Sequence, residues 1–169
     1  MIIREATPAD AAACAEIYAP YIEESLASFE MEAPSVEEMA GRIAGTFHWL
    51  VAEDYGAVVG FAYGGRHHER AAYRWAANVS VYVASSHHRR GIGHLLYTDL
   101  FALLRARGMR WACAGITLPN VASVGLHESL GFESVGTYRQ IGYKFGAWHD
   151  VGWWQLELQP LTDDPEEPR

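Results

Sequence analysis

Residues 85–97 read SSHHRRGIGHLLY, and the fold turns on how this stretch is understood. Before it, NVSVYVA (78–84) is rich in β-branched residues and predicts a strand. After it, Ile92, Leu96, Leu100, Leu103 and Leu104 recur at helical spacing until Gly108 ends the helix. A strand, a glycine-bearing turn and a helix N-terminus together gather unpaired N–H groups and the positive end of a helix dipole, which attract phosphate. Gly91 and Gly93 let an anion approach the main chain closely, since neither has a Cβ. Arg89 and Arg90 add charge-assisted hydrogen bonds. The turn lacks both the Gly-Lys-Ser/Thr of a nucleotide-hydrolysing loop and the three-glycine spacing of a dinucleotide fold. It is suited to a pyrophosphate held without Mg²⁺.

The rest of the composition agrees with a small anionic ligand. Thirteen Lys and Arg against twenty-one Asp and Glu give a net charge of −8, which argues against a nucleic-acid partner. The basic cluster His87-His88-Arg89-Arg90 stands alone on this acidic background. No apolar run approaches the ~20 residues of a membrane span, and MIIREAT lacks the apolar core of a signal peptide. The expectation is a cytoplasmic protein with no membrane partner. Cys14 and Cys113 match no metal or redox spacing and read as buried thiols. The adjacent histidine pairs 67–68 and 87–88 do not chelate one ion on a strand, so no metal is expected.

Outward from the centre, the chain reads as one mixed α/β domain over residues 1–159 with an acidic, disordered tail at 160–169. Ile2–Arg4 predicts a strand, and Thr7-Pro8-Ala9-Asp10 opens a helix to Ala19, where Pro20 interrupts or kinks it. Ser35-Val36-Glu37-Glu38 opens a second helix to about Gly45. WLVAED (49–54) and AVVGFAYG (57–64), joined at Tyr55-Gly56, form a hairpin, and residues 65–74 form a basic loop. Trp111–Thr117 is a strand, Val121–Leu130 a helix with Gly131 past its end, and ESVGTYR (133–139) and DVGWWQLEL (150–158) are the last strands.

HHRRGIG, the segment LPNVASVGLHESLGF (118–132) and GYKFGAWHDVGWWQ (142–155) resemble motifs of the GNAT superfamily of N-acetyltransferases. Together with SVYVA and LYTDL they resemble its phosphinothricin and methionine sulfoximine acetyltransferase branch, from IREAT to LEL. The resemblance implies the GNAT acyl-CoA N-acyltransferase fold, an α/β (α+β) domain. Its mixed, mostly antiparallel central sheet has two splayed parallel strands and is flanked by helices. It also implies acetyl-CoA as cosubstrate, lying in a V between the strand of Val81-Tyr82-Val83 and the strand 111–117. Main-chain groups of Val81 and Val83 would pair with the pantetheine arm, and an amide near Val83 would polarise the thioester carbonyl. His88, Arg89, Arg90, Gly91, Ile92, Gly93 and His94 would surround the pyrophosphate, although His88 stands where the family has Gln or Arg. Asn120 and Ser123 occupy the Asn-x-x-Ala/Ser positions, with Asn120 also suited to cap a helix.

The same resemblance places His127 at the position of the group that assists thiol departure, as donor to sulfur or acceptor from the amine. The branch's glutamate, forty-nine residues earlier, corresponds to Asn78 here, and an amide is no base at neutral pH. A water chain or His127 would then substitute, or the acceptor differs, or activity is weak. Phe29, Arg70, Tyr73 and Arg74 fall at acceptor-binding positions, the arginines suiting an α-carboxylate. Lys144 and Trp148-His149-Asp150 line the pocket or stabilise the last strands and a homodimer seam. The expected reaction is acetyl transfer to the α-amine of a small amino-acid-like molecule. Its alternatives are another amine, such as a protein N-terminus or polyamine, and a weakly catalytic acetyl-CoA-binding module.

Overall fold

The computed structural model describes residues 1–169. Seven strands form one sheet: β1 (Ile2–Glu5), β2 (His48–Asp54), β3 (Ala57–Arg66), β4 (Ala76–Val83), β5 (Trp111–Leu118), β6 (Glu133–Lys144) and β7 (Ala147–Glu157). Their spatial order is β1-β2-β3-β4-β5-β7-β6. Every neighbouring pair is antiparallel except β4–β5. The helices are α1 (Ala11–Glu23), α2 (Val36–Gly45), α3 (Ile92–Arg107) and α4 (Val121–Ser129). This is the GNAT-type mixed sheet that the sequence motifs imply.

Strand alternation builds two cores, one on each face of the sheet. On β2, Leu50 and Ala52 join Leu96, Leu100 and Leu104 of α3, whereas Trp49 and Val51 join Ile17, Tyr18 and Ile22 of α1 and Met39 of α2. Trp49 stacks on Phe61 at 5.1 Å and on Tyr63 at 4.5 Å, stiffening the α1 face. The site depends most on the parallel pair. β4 and β5 are in register only over Ala76↔Trp111, Ala77↔Ala112 and Asn78↔Cys113. Beyond Asn78 they part, so the centre of the sheet opens as a V.

Several boundaries differ from those the sequence predicts. α1 passes through Pro20 to Glu23, because a proline removes one helical N–H while buried Ile17, Tyr18 and Ile22 hold the helix on both sides of it. β4 begins two residues earlier, at Ala76, and β6 and β7 are longer than the apolar runs suggested. Their hairpin turns at Phe145 (φ 52°) and Gly146 (φ 74°), the positive pair that suits a tight β-turn. The tail carries no helix or strand. Trp75 Nε1 donates to the Glu166 carbonyl at 2.8 Å, Arg169 N to the Arg107 carbonyl at 2.9 Å, and Arg74 pairs with Glu167.

At the N-terminus, buried Asp10 accepts two hydrogen bonds from Arg4, at 2.8 and 2.9 Å, and one from Thr7 N at 2.8 Å. These bonds, the Arg4 bond foremost, lower the Asp10 pKa to about 2. Unfolded aspartate titrates near ~3.9, so the unfolded chain binds the extra proton first and the contribution of Asp10 is lost as pH falls from about 4 to 2. Asp10→Asn should cost about 2 kcal/mol at pH 7. Its denaturation midpoint should also change less than that of the wild type between pH 4 and 2, as urea titrations would show.

Candidate active site

The V between β4 and β5 widens into a cleft of about 1020 Å³ lined by β4, the turn after it, α3 and α4. Val81, Tyr82, Val83, His88, Arg89, Gly91, Ile92, Gly93, His94, Asn120, Ser123 and His127 all border it. Arg90 is exposed and does not. Gly91 caps α3 with φ 77°, a left-handed conformation that suits glycine, and no side chain caps the helix. The first N–H groups of α3 therefore lack helical partners, and they lie at the cleft wall formed by Gly91, Ile92 and Gly93. A Cβ on Gly93 would meet Leu126 at 3.1 Å, so glycine here also permits α4 to close against α3. The donors, the groove between strand edges and the volume fit a molecule with a pyrophosphate end and an extended arm.

At the mouth, a residue absent from the sequence reading organises the main chain. Tyr21, on α1, donates its hydroxyl to the Val83 carbonyl at 2.5 Å, and Val83 N points to the same hydroxyl at 3.3 Å. His88 Nε2 lies 2.9 Å from the Val83 carbonyl and 2.9 Å from the Tyr21 hydroxyl. A carbonyl only accepts, so this nitrogen carries hydrogen. The polar groups of Val83, expected to be bare, are thus partnered by Tyr21. His88 fastens the turn to the strand end, a role the Gln/Arg comparison did not reveal. Tyr21 lies in an apolar stretch of helix, where nothing in the pattern marks it.

α4 brings three residues together. Asn120 caps the helix, its Oδ1 accepting from Ser123 N at 3.0 Å. One turn on, His127 is only 4 % exposed. Its Nδ1 lies 2.7 Å from the Ser123 carbonyl and so carries the hydrogen, leaving the Nε2 lone pair to accept from the Tyr97 hydroxyl at 3.1 Å. Burial lowers the His127 pKa, and the Ser123 bond only partly opposes this. The imidazole is therefore neutral at neutral pH.

The remaining residues lie outside the cleft lining. Asn78 stands where β4 and β5 part, and its Oδ1 is 2.6 Å from Nδ1 of His67, at the start of the basic loop after β3. His67 was not singled out as functional in the sequence, because only the fold carries it to Asn78. Tyr73 packs near both His67 and His68, at ring separations of 5.9 and 4.8 Å. Phe29 seats against Gly142 of β6, where an added Cβ would fall 2.1 Å from its ring, and faces His149 at 6.4 Å. Lys144 donates to the carbonyls of Ile22, Ser25 and Ser28 at 2.6, 3.1 and 2.8 Å, locking the loop that carries Phe29 to the last hairpin. Arg70 and Arg74 border a separate recess with Arg66, Arg107 and Pro168, and Arg74 is engaged by Glu167 of the tail. The structure does not bring these two arginines to the V.

The Acetyltransferase (GNAT) domain family model matches residues 3–153. The chain is 44 % identical over 170 residues to phosphinothricin N-acetyltransferase from Streptomyces viridochromogenes, covering 98 % of this chain and 93 % of that one. It is 34 % identical to the L-methionine sulfoximine/L-methionine sulfone acetyltransferase of Salmonella typhimurium, covering 94 % and 95 %. Among solved structures, a GNAT superfamily phosphinothricin acetyltransferase from Sinorhizobium meliloti in complex with acetyl-CoA superposes with a TM-score of 0.90. The two are 32 % identical, and the match covers 97 % of this chain and 94 % of that one.

The lowered pKa of His127 has a consequence for stability. Unfolded imidazole titrates near ~6.5, so below that pH the unfolded chain binds a proton that folded His127 resists. Stability should fall as pH drops from 7 to 5. His127→Asn should flatten that slope in denaturant titrations, whatever its effect at pH 7.

Proposed function

Because the chain belongs to the GNAT acetyltransferase family, we propose that it transfers acetyl from acetyl-CoA to the α-amine of a small amino-acid-like acceptor of the phosphinothricin, methionine sulfoximine or methionine sulfone type. The observation that carries this reading is the parting of β4 from β5 beyond Asn78, which ends at the uncapped N-terminus of α3. The Streptomyces and Salmonella relatives, matched over nearly the whole chain, support the acceptor class.

In this reading the N–H groups of Ile92, Gly93 and His94, with Arg89 and the outlying Arg90, hold the pyrophosphate. The edges of Val81 and Val83 align the pantetheine arm as an added strand would, and Asn120 and Ser123 border it. Tyr21 hands the Val83 N–H to the thioester carbonyl as its own hydroxyl yields that place. Most of the rate enhancement comes from holding two reactants together in a confined space. His127, neutral and with Nδ1 tied to Ser123, enters as a proton acceptor rather than an acid. Its Nε2 takes the proton that the attacking nitrogen must shed and returns it to the departing sulfur. Phe29 and Tyr73 wall the acceptor. Arg70 and Arg74 act from a distance on its carboxylate, Arg74 once released from Glu167.

We further read the chain as a homodimer working in the cytoplasm, where acetyl-CoA is supplied. The outer hairpin carries Tyr138, Ile141, Tyr143, Phe145 and Trp148, each more than half exposed, a patch suited to a second copy.

Free-thiol release from acetyl-CoA should saturate with phosphinothricin, methionine sulfoximine or methionine sulfone and be slow with spermidine. His127→Ala should lower kcat about 10- to 100-fold with little change in KM for acetyl-CoA. Absence of turnover on every amino-acid-like acceptor would overturn the reading.

A further inference from the structure

The acceptor of an acetyl group arrives as an ammonium ion and must lose a proton before its nitrogen can attack. Asn78 stands where β4 and β5 part and cannot take that proton. Cys113, its register partner on β5, is pushed up to about 11 by burial, so its thiol is no base near neutrality. The Nε2 of His127 accepts from Tyr97 and, in the reading above, handles the second nitrogen proton, the one that passes to sulfur. One basic lone pair remains. Because the Asn78 oxygen accepts from His67 Nδ1 at 2.6 Å, His67 carries its hydrogen on Nδ1 and its lone pair on Nε2. That Asn78 bond is the polar contact the His67 ring makes within the protein, and the residue is only half-buried.

The surroundings place His67 beside the closed end of the cleft. On β4, Ala77 and Val79 face the α3 core, so Asn78 and Ser80 face the other way, and Ser80 borders the cleft one strand repeat from Asn78. On β7, Trp154 enters the α3 core, leaving Trp153 on the Asn78 side. Trp153 meets the His67 ring edge-on at 5.8 Å and covers Gly115, which also borders the cleft. His67 is therefore held over β5 between Asn78 and Trp153, at the closed end of the V. Tyr73 is the nearest titratable ring, at 5.9 Å; His68 and the exposed Arg66–Glu69 pair lie in the same loop, and Cys113 lies below.

We propose that His67 is the general base of the acetyl transfer and that Asn78 is its positioning residue, an inference that rests on the acetyltransferase reading above. Nε2 of His67 accepts a proton from the acceptor ammonium, directly or through one water. The freed nitrogen lone pair forms the bond to the acetyl carbon, and the carbon–sulfur bond breaks. The second nitrogen proton goes to the departing thiolate, and the His67 proton leaves to solvent along the exposed loop. The products are the N-acetyl acceptor, free CoA thiol and one proton, so the step balances without another reagent.

The test compares kcat and KM against pH for wild type, His67→Gln, and His67→Gln combined with Asn78→Glu. Methionine sulfoximine and phosphinothricin serve as acceptors, and thermal midpoints confirm that each variant is folded. The wild-type rate should fall on the acid side of its pH profile, where a general base is protonated. His67→Gln should lose about 100-fold in kcat together with that limb, at nearly unchanged KM for acetyl-CoA. Asn78→Glu in that background should restore most of the rate, because a carboxylate then stands at the same place. Wild-type kcat and an intact acid limb in His67→Gln would overturn the proposal, as would failure of Asn78→Glu to rescue. A wild type inactive on both acceptors would overturn the underlying reading and this proposal with it, an outcome distinct from an active wild type indifferent to His67.

Discussion

Everything functional in this fold follows from one broken contact, the early end of the β4–β5 ladder. Two parallel strands in the middle of a sheet ordinarily pair along their length, and unpaired main-chain groups away from water cost free energy. Here pairing stops after Asn78↔Cys113 while both strands run on for five more residues. The opening persists because each strand is held from its other side. β4 is paired to β3 from Ala77 to Val83 and β5 to β7 along its whole length. The two halves of the sheet thus diverge as rigid units, and the edges between them stay free to bind an extended ligand.

The exposed edge is nevertheless managed. Tyr21 satisfies Val83 with a side chain that can leave, which keeps the strand end ordered without filling the gap with backbone. His88 secures the same carbonyl and starts the turn that delivers Gly91 to the α3 N-terminus. Lys144 works comparably at the other wall. Lys144 is 3 % exposed and forms no direct ion pair, although the Glu30 charge favours its ammonium, and three carbonyls near the end of α1 surround it. Burial lowers its pKa, a cost that those hydrogen bonds offset by fixing the α1–α2 loop to the last hairpin. The loop after α1 is therefore tied to the far end of the chain.

What the sequence discloses divides along the range of the interactions involved. The strand–turn–helix around Gly91, the Ser35 capping box and the Asn120 cap are local, and their residues sit where spacing places them. Alternation and helical periodicity likewise disclose most of the sheet, whereas its two cores appear only in the fold. Boundaries set by tertiary packing are less visible: α1 outlasts Pro20, and β6 and β7 extend past their apolar runs into a mixed turn. In the site, contacts between distant segments escape a linear reading altogether. Tyr21 meets Val83 across 62 positions, Lys144 meets Ile22 across 122, and Arg74 is claimed by the tail.

The replacement of a carboxylate by Asn78 acquires a physical sense in this setting. A glutamate at the closed end of the V would face the desolvation of a charge whenever the cleft fills, and a charge left without a partner is expensive to bury. Asn78 and His67 form a neutral pair in which one hydrogen bond fixes both the ring and its tautomer. In the proposed reaction the pair takes its proton from an ammonium, so the positive charge is passed on rather than created. Separating orientation from basicity also moves the titrating group from the central strand to a half-buried loop. From there a proton reaches solvent without crossing the core, whereas His127, 4 % exposed and packed on Tyr97 and Phe132, opens only onto the cleft. In the proposed reaction the two histidines thus take opposite sides, the half-buried one the incoming amine and the buried one the departing sulfur.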